Sequence, residues 1–315
     1  MSEQALRAAV IGVGHLGRHH ARILSSIEGA RLEAVVDVNE PRAREIASAA
    51  GARALTNVRE LVGQVDLVSI ATPTETHAEI AGLFLEQGIP VLVEKPLSRS
   101  VVEADAIIAA AARSGATLAV GHTERFNPAV LAARPAVDHP RFVEVHRLGT
   151  FPERSLDIDV VFDLMIHDLD LVLSIVQSEV ESIEAVGVPV LTDRFDIANA
   201  RLRFASGCVA NITASRISRD RTRKIRFFQR DAYISIDTGA KTAEVYRLVR
   251  PADRRPAIEG GKIPVPEGEP LRNELQDFVD AVRFGRAPLV GGADGRRAVA
   301  LAAEITERMA ACTRI

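Results

Sequence analysis

The chain has little cysteine, few lysines, no long apolar run and almost no excess of charge, and each shortage excludes something. Its two cysteines, Cys208 and Cys312, fit neither metal-ligand spacing nor a disulfide framework, and a chain of 315 residues needs no staples. No metal site is expected, and a reducing compartment is. No stretch approaches the ~18 consecutive apolar residues of a membrane helix. The N-terminus lacks the charged, apolar, small-residue order of a secretory signal, so the expected location is cytoplasmic, with no membrane partner. Basic residues number 39 against 42 acidic, a formal net charge of −3, so no global positive field collects nucleic acid. Lysine is the rarest cation: Lys95, Lys224, Lys241 and Lys262 stand among those 39 basic residues, so each repays inspection.

What is present reads as an ordinary globular chain of about two domains, at 47% hydrophobic and 26% charged residues. From residue 6 short β-branched runs alternate with helical stretches, the pattern of βαβ units on a parallel sheet. The runs are 6–12, 32–37, 66–71, 90–94 and 117–120, and the helical stretches between them are 15–27, 41–50, 74–87 and 100–114. This predicts a doubly wound dinucleotide-binding (Rossmann) domain over residues 1–121. Beyond Gly121 the runs alternate as half-buried antiparallel strands do, near 141–149, 180–190, 196–204, 208–215, 223–229, 231–237 and 242–248. Hairpin turns are expected at Ser206-Gly207 and Thr238-Gly239, the glycines supplying positive φ. One helix, 159–177, interrupts the strands. The five prolines and three glycines of 251–270 predict a surface loop, and two helices follow near 271–284 and 294–311. The whole is α/β, the second domain (122–315) carrying a mostly antiparallel open sheet.

Gly12-Val13-Gly14-His15-Leu16-Gly17 is a G-x-G-x-x-G that follows an apolar strand and opens a helix. Asp37 answers it at the end of the next strand, twenty residues after Gly17. The first two glycines allow a tight turn and close approach to a pyrophosphate, which the helix N-terminus stabilises; the third allows helix-on-strand packing. Asp37 can accept from a ribose 2′-hydroxyl and repels a 2′-phosphate, so NAD is expected over NADP, with Arg42 as a counterweight. The bland alternative is a glycine turn in a fold that binds no dinucleotide.

Thr72 and Pro73 end a strand where ligands of open α/β sheets gather, and His77 is either a cofactor neighbour or a surface histidine. Glu94-Lys95-Pro96 ends the next strand. Lysine can lose its proton when desolvated, and while charged it lowers the pKa of a bound hydroxyl; an exposed structural lysine is the alternative. On the helix 159–177, Asp159, Asp163, His167 and Asp170 fall at i, i+4, i+8 and i+11, one narrow stripe on an otherwise apolar cylinder. Asp163 one turn before His167 suits general acid/base work, or the stripe is a cap with a satisfied histidine. Arg125 and Asn127 suit phosphate or sugar hydroxyls, with helix capping by Glu124 and Asn127 as the alternative. Arg216, Arg219, Arg221, Arg223, Lys224, Arg226 and Arg230 form a basic cluster, read more readily as a solvated sheet edge than as a diphosphate site.

Taken together, the glycine turn at Gly12, the Glu94-Lys95-Pro96 triplet and the Asp163-x-x-x-His167 helix resemble the Gfo/Idh/MocA family of nicotinamide-dependent sugar oxidoreductases. The resemblance implies Lys95, Asp163 and His167 as the catalytic group beside nicotinamide C4. On the residues themselves, the expected cofactor contacts are Gly12, Gly14, His15, Leu16, Gly17, Asp37, Arg42, Thr72, Pro73, His77 and Glu94, and the expected substrate contacts are Lys95, Arg125, Asn127 and His167. The resemblance also implies a homo-oligomer built on the open sheet. Residues 121–130 and 163–170 look like the branch acting on nucleotide sugars in lipopolysaccharide (lipid A) synthesis. That implies oxidation of the 3-hydroxyl of UDP-N-acetylglucosamine for a partner aminotransferase; a free sugar or inositol, or an NAD-binding sensor without turnover, are the alternatives. Met165 stands where family members often carry glycine.

Overall fold

The computed structural model describes residues 5–151, 158–250 and 255–312. Two compact units divide the chain: residues 1–123 with 270–299, and residues 124–269 with 300–315.

In the first unit β1 (Leu6–Ile11), β2 (Ala30–Val36), β3 (Arg53–Leu55), β4 (Leu67–Ile70), β5 (Val91–Glu94) and β6 (Leu118–Gly121) form one sheet in the order β3-β2-β1-β4-β5-β6. Every pair is parallel. Strands β4, β5 and β6 are buried at every residue, as a parallel sheet covered on both faces requires. The helices are α1 (Gly17–Leu24), α2 (Glu40–Ala50), α3 (His77–Leu85) and α4 (Val101–Ser114). Local chemistry sets their ends: Asn39 and Ser100 accept from the backbone N–H of Arg42 and Glu103, and Gly51 and Gly115 close α2 and α4 in the left-handed region. Strand order reverses between β1 and β4, so the segments after these two strands flank the crevice in which such sheets bind ligands.

The chain returns to this unit at α7 (Pro270–Phe284), whose Leu275, Phe278 and Val279 join the core of Val10, Ile23 and Val35. The Val120 N–H donates to the Val290 carbonyl, so the segment after α7 also borders the sheet. The expected cut at 121/122, with everything after it in one domain, therefore differs from the packing. Helix α7 has an apolar stripe that fits either unit on composition, and only packing assigns it.

In the second unit α5 (Pro128–Ala133) and β7 (Phe142–Leu148) precede a π turn (Val161–Met165) and α6 (Ile166–Val176). Then come β8 (Val180–Val188), β9 (Ile197–Phe204), β10 (Val209–Ser215), β11 (Thr222–Gln229), β12 (Ala232–Asp237), β13 (Thr242–Val249) and β14 (Ala257–Lys262). They form a sheet in the order β14-β13-β12-β11-β7-β10-β9-β8, antiparallel except for β7 and β10. Inward positions such as Val143, Val145, Ala210, Ile212, Ile225 and Phe227 are buried, and helix α6 packs on β7 and β10. The opposite face aligns Phe142, Phe228, Tyr233 and Tyr246 across four strands, with ring centroids 5.6, 5.1 and 6.1 Å apart. Helix α8 (Gly292–Cys312) has residues in both units.

Three expectations are corrected here. Residues 257–262, read as loop, form the edge strand β14: Gly260 lies against β13, where a side chain would strike the Val245 carbonyl at 2.0 Å. Residues 251–254 of that stretch lie outside the described residues. The turn after β12 takes its positive φ at Lys241 (53°) instead of Gly239, whereas Gly207 takes it at 81° as expected. The basic cluster is no sheet edge, because β11 is paired on both sides. Cys208 is a free, buried thiol whose pKa burial raises to about 11, and the side chain of Cys312 is outside the described residues. Among the described residues no helix is long and apolar enough to cross a membrane.

Candidate active site

The glycine turn has the geometry its spacing requires. Gly12 sits at φ 82°, where a Cβ would lie 2.8 Å from the Ala71 carbonyl oxygen and from Thr72. At Gly17 a Cβ would fall 1.7 Å from the Gly12 carbonyl oxygen, so α1 approaches the turn only because that atom is missing. Gly14 instead faces open space, with no heavy atom within 4 Å of where its Cβ would be. A cradle with two glycines closed against protein and one open outward fits a dinucleotide pyrophosphate at the helix N-terminus. Leu16 caps α1, and His15 and Leu16 are exposed beside the opening.

Asp37 braces this turn. Its Oδ2 accepts the Val13 N–H (2.9 Å) and its Oδ1 the Asn39 N–H (2.9 Å), which leaves lone pairs on both oxygens for a ribose hydroxyl. Arg42 donates from Nε to the Val13 carbonyl (3.0 Å) and from Nη1 to Glu45 (2.8 Å). The counterweight expected of Arg42 is thus engaged on the loop and a neighbouring carboxylate.

After β4, Thr72 and the exposed Pro73 lead into a short turn in which the Thr76 hydroxyl donates to Thr72 Oγ1 (2.7 Å). His77 is neither a surface histidine nor open to a ligand. It is buried, Nδ1 lies 3.0 Å from the Pro96 carbonyl and Nε2 2.9 Å from that of Thr72, so it braces one strand-end loop against the other. Glu94, expected to meet the cofactor, turns inward at 4% exposure. Its Oε1 lies 2.9 Å from His20 Nε2, and its Oε2 accepts the Lys95 N–H (3.1 Å). His20 Nδ1 in turn meets Ser69 Oγ at 2.8 Å. Lys95 itself is half-buried at the end of β5. Sequence reasoning missed His20 and Ser69. The available signals were a serine inside the apolar run Leu67–Ile70 and a histidine on the buried face of α1.

In the second unit the expected stripe does not hold together, because the helix does not keep one period. Val161–Met165 form a π turn, whose wider pitch breaks the 100° steps on which the stripe was drawn. Asp159 lies before the helix and accepts the Phe195 N–H (3.1 Å). Asp170 is buried against Arg125, leaving Asp163, in the π turn, and His167, one residue into α6, as the half-buried pair.

Arg125 and Asn127 each hold partners within their own unit. Arg125 makes a two-bond fork with Asp170 (Nε to Oδ2 2.7 Å, Nη2 to Oδ1 3.1 Å) at 6% exposure. Asn127 caps α5 through Ala129 N–H and donates to Glu124 and to the Thr238 carbonyl. The alternative reading of capping is the one the geometry carries. Arg147, which sequence reasoning missed, forks onto Asp168 (2.7 and 2.8 Å) and reaches Glu124 (3.0 Å). Burial works against its charge, but Asp168 and Glu124 outweigh burial and raise its pKa. The signal was an arginine where β7 alternation puts a core residue. Of the basic cluster, Arg216 is buried on Asp196 (2.8 Å) and the Ile158 carbonyl (2.7 Å), and Arg226 pairs with Glu144.

Compared with known proteins, residues 6–122 match an oxidoreductase family with an NAD-binding Rossmann fold, and residues 131–235 match the GFO/IDH/MocA C-terminal domain. The chain is 40% identical over 304 residues to UDP-N-acetylglucosamine 3-dehydrogenase of Acidithiobacillus ferrooxidans, covering 95% of this chain and 96% of that protein. A solved structure of that enzyme matches with a TM-score of 0.92 at 39% identity, over 98% of this chain and 99% of that one. Inositol 2-dehydrogenase of Rhizobium meliloti is 29% identical over 94% of each chain. Levoglucosan dehydrogenase, solved with NADH and levoglucosan, shares the fold (TM-score 0.88) at 22% identity over 98% of each chain.

Proposed function

The chain belongs to the Gfo/Idh/MocA family of NAD-binding oxidoreductases, and from that premise we propose that it oxidises the 3-hydroxyl of UDP-N-acetylglucosamine with NAD. The observation that carries this reading is the 40% identity to a UDP-N-acetylglucosamine 3-dehydrogenase along 95% of the chain. The glycine cradle holds the pyrophosphate, and Asp37 takes the ribose hydroxyl. Its negative charge, with Arg42 held by Val13 and Glu45, favours NAD over NADP. Bound NAD supplies the acceptor for the hydride that leaves C3.

The chain's own groups manage the proton and the charge. His167 accepts the hydroxyl proton, Asp163 orients His167, and Lys95 stabilises the developing alkoxide. Thr72 and Pro73 line the nicotinamide side. The product is a 3-keto sugar, the substrate an aminotransferase needs, consistent with a cytoplasmic place in lipid A synthesis. The aromatic row on the open sheet face is where a second copy packs to give the homo-oligomer.

A second reading, a dehydrogenase of a free sugar or inositol, draws on one observation: Arg125 and Arg216, candidates for a diphosphate, are both buried in ion pairs. The decisive assay follows nicotinamide absorbance with UDP-N-acetylglucosamine and NAD, an aminotransferase and amino donor pulling the equilibrium forward. Reduction with the nucleotide sugar alone supports the first reading; turnover only of a free sugar replaces it with the second. Silence with every sugar would favour a sensor. His167→Ala is expected to lower kcat by ~10²-fold or more, and near-normal turnover in that variant would remove His167 from its role.

A further inference from the structure

Beneath Lys95 lies a chain of three buried polar side chains that the proposed mechanism does not use. Ser69, His20 and Glu94 are 0%, 0% and 4% exposed, and they come from β4, α1 and β5. Ser69 Oγ lies 2.8 Å from His20 Nδ1, and His20 Nε2 lies 2.9 Å from Glu94 Oε1. The remaining Glu94 oxygen, Oε2, accepts the Lys95 N–H at 3.1 Å. A carboxylate at Glu94 takes the Nε2 proton as acceptor, which leaves Nδ1 to accept from the serine hydroxyl. Every bond in the chain then has one donor and one acceptor.

A carboxylate this deeply buried is costly unless it is held, and here it is held on both oxygens. Space is reserved for it as well. Gly121, its register partner on β6, would place a Cβ 3.0 Å from Glu94 Cδ and Oε2. The glycine takes no positive φ, so the reason for it is the room it leaves.

We propose that Ser69, His20 and Glu94 are positioning residues for Lys95, fixing the peptide of the lysine and a negative charge one residue away from its ammonium. The inference rests on the role given to Lys95 above. It adds that the helix opened by the glycine cradle and the strand end bearing the lysine are tied through one hydrogen-bonded chain, so the cofactor seat and the lysine seat are held in register.

The test exploits the shortage of lysine. Reductive methylation with carbon-13 formaldehyde labels only four lysines and the N-terminal amine while keeping the charge, and Lys95→Arg identifies the Lys95 resonance. Glu94→Gln is isosteric and removes the charge, Ser69→Ala removes one hydroxyl, and Gly121→Ala adds bulk without removing any polar group. The Lys95 titration midpoint should fall by about 0.5 to 1 pH unit in Glu94→Gln, and shift less in Ser69→Ala. His77, His122 and Asp37 at this end of the sheet, and the Asp163 and His167 given roles beside Lys95 above, are unchanged in these variants. With the substrate that the wild type turns over, Glu94→Gln and Gly121→Ala should lower kcat by roughly 10 to 100-fold, with NAD affinity within about twofold of wild type.

An unmoved Lys95 midpoint in Glu94→Gln would overturn the proposal. So would a loss of kcat that merely follows a lower melting temperature in the Ser69 and Gly121 variants. The titration needs no sugar, so it decides the matter even if UDP-N-acetylglucosamine proves not to be the substrate.

Discussion

Three glycines within six residues do three different jobs, and the difference can be measured. Gly17 and Gly12 are closed against protein, whereas a methyl at Gly14 meets nothing within 4 Å. Gly14→Ala should therefore fold with its stability within about 0.5 kcal/mol of wild type, as an exposed substitution does. It should bind NAD at least tenfold more weakly, because the methyl occupies the space the pyrophosphate needs. Gly17→Ala should lose stability and NAD binding together. Melting curves paired with NAD titrations separate the two, and a Gly14→Ala protein with wild-type affinity would remove the turn from the cofactor site. At this scale the backbone chemistry was legible: a glycine spacing encodes a shape with few alternatives. Side-chain commitments were not. Arg125, Asn127, Glu94 and His77 are residue types that serve a ligand or a neighbour equally well, and only the partners found across the unit decide.

Helix α6 shows what elements add. It carries His167, and the residues flanking it, Asp168 and the next aspartate along, Asp170, are each gripped by an arginine from another element. Arg147 comes from β7 and Arg125 from the turn before α5. Two forks on different sides of one helix restrain its rotation as well as its position, which the role proposed for His167 requires. Arg147→Ala should cost about 3 to 5 kcal/mol by leaving Asp168 buried without its cation. Replacing both partners with apolar groups, Arg147→Met with Asp168→Leu, should recover most of that stability in urea unfolding. Turnover should not recover, since an apolar pair packs without fixing rotation. Recovery of both would reduce the fork to a packing device. The positions of most strands and helices were readable from periodicity, because alternation in β7 to β13 and apolar spacing in α4 and α7 survive folding intact. Elements that deviate from a period were not: the π turn at Val161–Met165, the three-residue β3, and β14 with its paired glycines.

Over the whole chain the charge balance is close to neutral, so acid sensitivity depends on individual carboxylates more than on net repulsion. Asp66, Glu103 and Asp105 are held below the usual carboxylate range by hydrogen bonds from Arg7, Arg99 and Arg296, all partly or fully solvent-exposed pairs of the first unit. Such pairs contribute little. Asp196 of the second unit differs. Burial pushes its pKa up, but the N–H groups of Leu191, Thr192 and Val190 and the Arg216 guanidinium together outweigh burial and hold it well below that range.

A carboxyl whose folded pKa lies below its unfolded value of about 3.9 stabilises the fold above that value, and the stabilisation is lost as pH falls through the folded pKa. These groups should leave the melting temperature roughly level from pH 7 to 5 and make it fall from about pH 4 downward. Asp196→Asn should be less stable at pH 7, having lost an anion that five donors were arranged to hold, and should lose less further stability between pH 5 and pH 3. Peptide-resolved hydrogen exchange in the wild type at pH 3 should place the earliest opening at residues 188–196 and around Arg216, ahead of the parallel sheet. Parallel acid profiles for wild type and Asp196→Asn would show that the acid limb originates elsewhere. The expected divergence would mean that the unit carrying His167 fails before the dinucleotide-binding sheet, so that at low pH NAD binding should outlast turnover.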